Sequence, residues 1–153
     1  MLLLRRIATA VGVGRELTPA EAERALGRAG ERAAARLLKR SGYRVLGRNV
    51  RVRIGEADLV CLAPDRRTIV IVEVKTRRMS ATGAPTPPPE VNVHARKRAK
   101  LVAVTRYLAK ANGWHDRPVR IDVVAVEWPA RGARGTSRRP VLRHHVGAVT
   151  GRR

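Results

Sequence analysis

The chain has 153 residues, 44% of them hydrophobic, which is enough for one buried core and too little for two independent ones. Lys and Arg outnumber Asp and Glu by 33 to 12, a formal charge of +21 that points to a polyanionic partner, nucleic acid above all, rather than to a merely solubilising surface. One cysteine, Cys61, excludes an intrachain disulfide framework and a cysteine-based zinc site and fits a reducing cytoplasm.

Aromatic residues make up 3% and Phe is absent, so the core must be Val, Leu, Ile and Ala. Residues 1–17 read as a flexible leader. Its apolar patch, Met1 to Ile7, is cut by Arg5 and Arg6 before it reaches signal-peptide or membrane-span length, and no membrane partner is expected. The domain proper is predicted over 18–128. It opens with Thr18-Pro19-Ala20-Glu21, a capping box with proline at the first helical position, so a helix should run to Arg40 and stop at Ser41-Gly42.

From Tyr43 the period becomes two. Val50, Val52 and Ile54 alternate with Asn49, Arg51 and Arg53, a strand with one wet face that turns at Gly55. A second strand is predicted over Glu56 to Leu62, a turn at Pro64 to Arg67, and a third strand over Thr68 to Thr76. The run Ile69 to Val72 is apolar on both faces, as in a central, doubly covered strand. Arg77 to Glu90 holds four prolines and reads as a mobile loop over 78–90. A second helix follows from Val91 to Asn112, then a strand from Val119 to Trp128. Residues 129–140 form an Arg/Gly-rich stretch expected to be disordered, and 141–153 an edge strand, over Val141 to Val146, and a tail. The order gives an α/β sandwich, a mixed sheet of four to five strands flanked by helices.

The charged residues inside this pattern carry the chemistry. With the second turn centred on Asp65-Arg66, antiparallel counting sets Asp58 opposite Glu73, two carboxylates about 5 Å apart. They repel unless a cation lies between them, and Mg²⁺ or Mn²⁺ suits such oxygen ligands. Lys75 falls on the same face as Glu73 and can neutralise the pair or position a water. The same register places Glu56 across from Lys75, which offers a plain cross-strand ion pair instead. Yet Glu73 and Lys75 interrupt an apolar strand, where charge is costly unless paired or metal-bound.

On the first helix Glu31 shares a face with Ala34, Ala35 and Leu38. On the second, Lys97 intrudes on the stripe Val93, Leu101, Val104 and Leu108, so it either snorkels or reaches the sheet to grip a phosphate. Arg96, Arg98 and Lys100 form a basic face for generic phosphate contact. Arg120 and Asp122 read as a structural ion pair, and Trp114 and Trp128 as packing residues. The pair His144-His145 lacks a partner at zinc-ligand spacing.

In order along the chain, Gly30-Glu31-Arg32-Ala33-Ala34, Gly42 to Leu46, Arg48 to Arg51, Gly55-Glu56-Ala57-Asp58-Leu59-Val60 and Val72-Glu73-Val74-Lys75-Thr76-Arg77 resemble the bacterial YraN family. That family is similar to PD-(D/E)XK endonucleases and archaeal Holliday-junction resolvases. The resemblance spans roughly Ala25 to Val126 and implies a restriction-endonuclease-like fold. Ala57 and the missing Phe depart from the family's pattern only in packing. Glu31 and Asp58 would be the acids of the first two motifs, and Glu73 with Lys75 the (D/E)XK pair. Asp58, Glu73 and Glu31 would hold Mg²⁺ or Mn²⁺, while Lys97, Arg96, Lys100 and Arg77 contact nucleic acid. DNA is favoured over RNA, branched DNA is implied by the resemblance alone, and a homodimer stays open. The expected function is metal-dependent hydrolysis of phosphodiester bonds. The alternative is a non-catalytic nucleic-acid-binding protein on the same scaffold, which the charge supports equally well.

Overall fold

A computed structural model describes residues 17–79, 95–130 and 139–149. The expectations for the leader, for loop residues 80–90, for the start of the second helix at 91–94, for 131–138 and for the tail from 150 lie outside these residues.

Helix α1 spans Pro19–Arg40 and begins as its sequence dictates. The Thr18 hydroxyl accepts from the Glu21 amide at 3.3 Å, and the Glu21 carboxylate accepts from the Thr18 amide at 2.8 Å. Both ends of the capping box are therefore closed. The helix stops at Ser41, and Gly42 takes φ +85°, a left-handed conformation that costs an L side chain energy.

The strands are β1 (Arg44–Val52), β2 (Gly55–Leu62), β3 (Ile69–Arg78), β4 (Val119–Trp128) and β5 (Val141–Val149), hydrogen-bonded in that order. All neighbours are antiparallel except β3 and β4, which are parallel. A parallel pair needs a long crossover, and helix α2, Ala95–Ala111, lies within it. This is the predicted α/β architecture, a mixed five-stranded sheet with one helix layer on each face.

Several boundaries differ from the sequence reading. Ile54 sits in the β1–β2 turn rather than in the strand, and Gly55 opens β2. Strand β3 continues through Arg77 and Arg78, where a loop was expected, because β4 pairs with it to Trp128. Strand β5 runs to Val149, beyond the expected end near Val146.

Two cores result. Ala33, Ala34, Ala35 and Leu38 of α1 cover Leu59, Cys61, Val70, Val72, Val124 and Val126. Leu101, Val104 and Leu108 of α2 cover Val60, Ile69, Ile71, Ile121 and Val123 on the other face. Burying Val70 and Ile71 on opposite sides explains the unbroken apolar run that identified β3 as central.

The β2–β3 turn fixes the register. The Asp65 carboxylate accepts from the amides of Arg67 and Thr68, both at 2.9 Å, and from the Thr68 hydroxyl at 2.5 Å. The Thr68 hydroxyl bond, with the two amides, holds the Asp65 pKa down to about 2. Arg66 takes the left-handed φ of 57° that the tight turn demands. Leu62 then pairs with Ile69, and the pairing continues to Leu59 and Val72.

Helix α1 lies close on β3 at one point. A Cβ on Gly30 would fall 1.8 Å from the Thr76 hydroxyl oxygen and 2.9 Å from Thr76 Cβ and Cγ2, whereas nothing lies within 4 Å of one on Gly27. Gly30→Ala is therefore expected to destabilise the fold by about 1–3 kcal/mol, since α1 must lift from the sheet. Gly27→Ala should stabilise it by up to about 1 kcal/mol through helix propensity. Denaturant titration of both variants checks this, and equal midpoints would contradict the packing described.

Candidate functional site

The β2–β3 ladder stops short. Ala63 donates to the Thr68 carbonyl, so every second pair from there is doubly hydrogen-bonded. The sequence of such pairs, 61/70 and 59/72, would next join Val74 to Ala57. Instead Ala57 pairs only with Val50 of β1, and the Val74 amide donates to the Asp58 carboxylate at 2.7 Å. A side-chain oxygen replaces the missing main-chain carbonyl.

The cause lies in a kink shared by β1 and β2. Asn49 has φ 48°, and neither it nor Asp58 appears in the otherwise continuous pairing of Arg48 with Leu59 and Val50 with Ala57. Leu59 packs in the α1 layer, but Ala57, two residues on, packs in the α2 layer. A regular strand would keep both on one face. Beyond this point β1–β2 and β3–β4 diverge as two ribbons, with Asp58 at the fork.

Continuing the register sets Asp58 opposite Glu73, as the counting from Asp65-Arg66 predicts. Glu73 is 4% exposed. Lys75 Nζ lies 3.0 Å and Lys97 Nζ 3.1 Å from the same oxygen, Oε1. The other oxygen, Oε2, is buried with no hydrogen-bond partner. Lys97 thus reaches the sheet from α2. Glu56, however, is not the partner of Lys75: it pairs with Arg51 across β1, at 3.4 Å and largely exposed.

Burial, the Glu73 charge and, more weakly, Glu31 raise the Asp58 pKa from 3.8 to about 6, against the lowering effects of the Val74 amide and Lys97. The other buried acids behave oppositely. Asp122, fully buried, resists the upward pull of desolvation because His144 (2.8 Å), the Gly147 amide (2.9 Å) and Arg120 (3.0 Å) hydrogen-bond it, and its pKa falls. Glu127 is also lowered, despite desolvation, by Arg77 and Arg143. Full complements of partners make these two structural, and they explain Arg120, His144 and Arg77. The guanidinium of Arg77 is committed to Glu127 rather than turned to Glu73.

Glu31 accepts from the Asn49 side chain at 3.1 Å, which ties α1 to the kink beside Asp58. Asn49 had not been singled out from the sequence. Its signals were its place in the Arg48 to Arg51 motif and the tolerance of Asn for the left-handed region. Among the described residues no group of three or more His, Cys, Asp or Glu stands ready to hold a metal. Asp58 and Glu73 nonetheless suit a hard divalent cation, since Glu73 Oε2 lacks a partner and Mg²⁺ keeps several waters in its shell. Next to them a cleft of about 240 Å³ is lined by Arg51, Glu56, Lys97 and Lys100, with Arg96 exposed nearby on α2.

A family model and individual relatives point to the same family. The model of "Uncharacterised protein family UPF0102" matches residues 30–126. A UPF0102 protein of Symbiobacterium thermophilum is 46% identical over 104 residues, covering 68% of this chain and 83% of its own. One from Pelobacter propionicus is 37% identical over 119 residues, covering 75% and 82%. One from Ectopseudomonas mendocina is 46% identical over 102 residues, covering 66% and 81%.

The raised Asp58 pKa gives a stability prediction. Between pH 3.8 and about 6 the folded state binds more protons than the unfolded one, so ionising Asp58 destabilises the fold as pH rises through that window. Asp58→Asn should therefore stabilise the metal-free protein at pH 7.5, by on the order of 2–3 kcal/mol, and have little effect at pH 4. Urea denaturation at the two pH values tests this, and a pH-independent difference would refute it.

Proposed function

The chain belongs to the UPF0102 family, the YraN family that its motifs resemble, and from that premise we propose that it is a metal-dependent nuclease acting on the phosphodiester backbone of DNA. The observation that carries this reading is the fork itself. There a carboxyl pushed up to about 6 faces a buried carboxylate with one oxygen unpartnered, beside two lysines. A structural ion pair would leave neither feature, as Asp122 and Glu127 illustrate.

Asp58 and Glu73 would hold Mg²⁺ or Mn²⁺, with Glu31, whose bond to Asn49 uses Oε2 alone, as a third acid. The chemistry such an ion supplies is activation of water and neutralisation of charge on the phosphate. Lys75, anchored on Glu73, orients the attacking water. Lys97 and Lys100 hold the phosphate in the cleft, with Arg96 adding to the attraction. Among the described residues no helix is long and apolar enough to cross a membrane. With few aromatics to stack bases, the protein reads shape and backbone, which suits branched DNA.

One observation favours a second reading. Lys75 and Lys97 already neutralise Glu73, and no three-acid cluster is preformed among the described residues. The fork would then be a scaffold and the protein a binder of nucleic acid without chemistry.

Purified full-length protein separates the two. The nuclease reading predicts cleavage of plasmid or four-way-junction DNA with Mg²⁺ or Mn²⁺ and none with EDTA. Asp58→Ala, Glu73→Ala and Lys75→Ala should each slow it by about 100-fold or more while binding persists. Salt-sensitive binding by the wild type with no cleavage under either ion would leave only the scaffold reading.

A further inference from the structure

Helix α1 carries Arg24, Arg28, Arg32, Arg36 and Arg40, one arginine every four residues along its whole length. All five are exposed. None forms an ion pair with a carboxylate among the described residues. Each step sets like charges at i,i+4, which opposes helix formation. Exposed helices ordinarily mix signs at that spacing, so something outside the helix should compensate.

Their placement is specific. The buried side of α1 is Gly30, Ala33, Ala34, Ala35 and Leu38, and four residues advance about 40° around the axis, so the ladder winds over the opposite, solvent side. It extends about 24 Å with one guanidinium roughly every 6 Å. At its C-terminal end Arg36 and Arg40 join Arg139 and Leu142 around a cleft of about 340 Å³ beside β5. This surface is on the α1 side of the sheet, whereas Glu73, Lys75 and Lys97 face the α2 side.

We propose that this ladder is a second nucleic-acid surface, separate from the fork, which tracks the phosphate backbone of a duplex. Evenly spaced positive charge on a rigid rod suits a regular line of phosphates, one per about 3.4 Å of axis on each strand, so that a guanidinium roughly every 6 Å meets about every second one. A single strand fits less well, because the outer face of α1 offers no aromatic ring for stacking. An anionic bilayer fits less well too, because the apolar side of α1 is buried in the core and cannot enter lipid. With one basic surface on each side of the sheet, a single chain can hold two duplex segments at once, as a branched substrate would present them.

The test is binding of a fluorescent duplex DNA by the full chain in EDTA over a range of salt concentrations. Arg28→Gln/Arg32→Gln/Arg36→Gln should flatten the slope of log affinity against log salt by about 2–3, near 0.9 per lost phosphate contact. Arg28→Lys/Arg32→Lys/Arg36→Lys keeps the charge and should keep the slope, which separates charge from packing of the aliphatic stems. Short duplexes should saturate at two per wild-type chain and one per Gln variant. An unchanged slope and stoichiometry in the Gln variant overturns the proposal. So does a Gln variant that loses binding to phosphatidylserine vesicles but not to DNA. Since no cleavage is measured, failure of the nuclease reading leaves this result standing, and the reverse also holds.

Discussion

The hydrogen bond from the Val74 amide to the Asp58 carboxylate is where this fold changes from scaffold to site. An antiparallel ladder would have used the Ala57 carbonyl there, but the kink at Asn49 and Asp58 carries β2 away with β1. A bare amide in the middle of a sheet is costly, and the nearest acceptor is the side chain at the kink. Meeting that need draws Asp58 inward, opposite Glu73. The fork, its burial and its charge all follow from that one exchange.

Electrostatics then sets the fork apart. Of the acids drawn into the sheet, Asp58 at the fork is pushed above its ordinary range, whereas Asp122 and Glu127 are held below theirs. Asp122 and Glu127 each sit among enough donors to stay charged comfortably. Asp58 has one amide, and Glu73 shares one oxygen between two lysines while its other oxygen goes without. A site that tolerates such imbalance lowers its own stability, and perturbed carboxylates in this setting are a recognised mark of function.

Much of this was legible in the sequence because local chemistry decided it. Thr18 and Glu21 close the helix start, Asp65 closes the turn, and that turn fixes Asp58 against Glu73. Lys97 betrayed itself as a charge on an apolar stripe and does reach Glu73. What period-two reasoning could not supply was the kink, since alternation assumes that a strand keeps its faces. Hence Asn49, its bond to Glu31 and the end of the ladder were invisible. The extension of β3 to Arg78 depended on strand residues 50 positions away, and so did the commitment of Arg77 to Glu127.

Everything at the fork turns on whether Asp58 and Glu73 together hold a divalent cation. A crystal of the full chain soaked in Mn²⁺ and measured for anomalous scattering addresses it most directly. A cation shared by the two acids gives a strong peak within coordination distance of both carboxylates, with Lys75 and Lys97 nearby. A saturating soak that leaves the fork without a peak, Glu73 still held only by its two lysines, would contradict it.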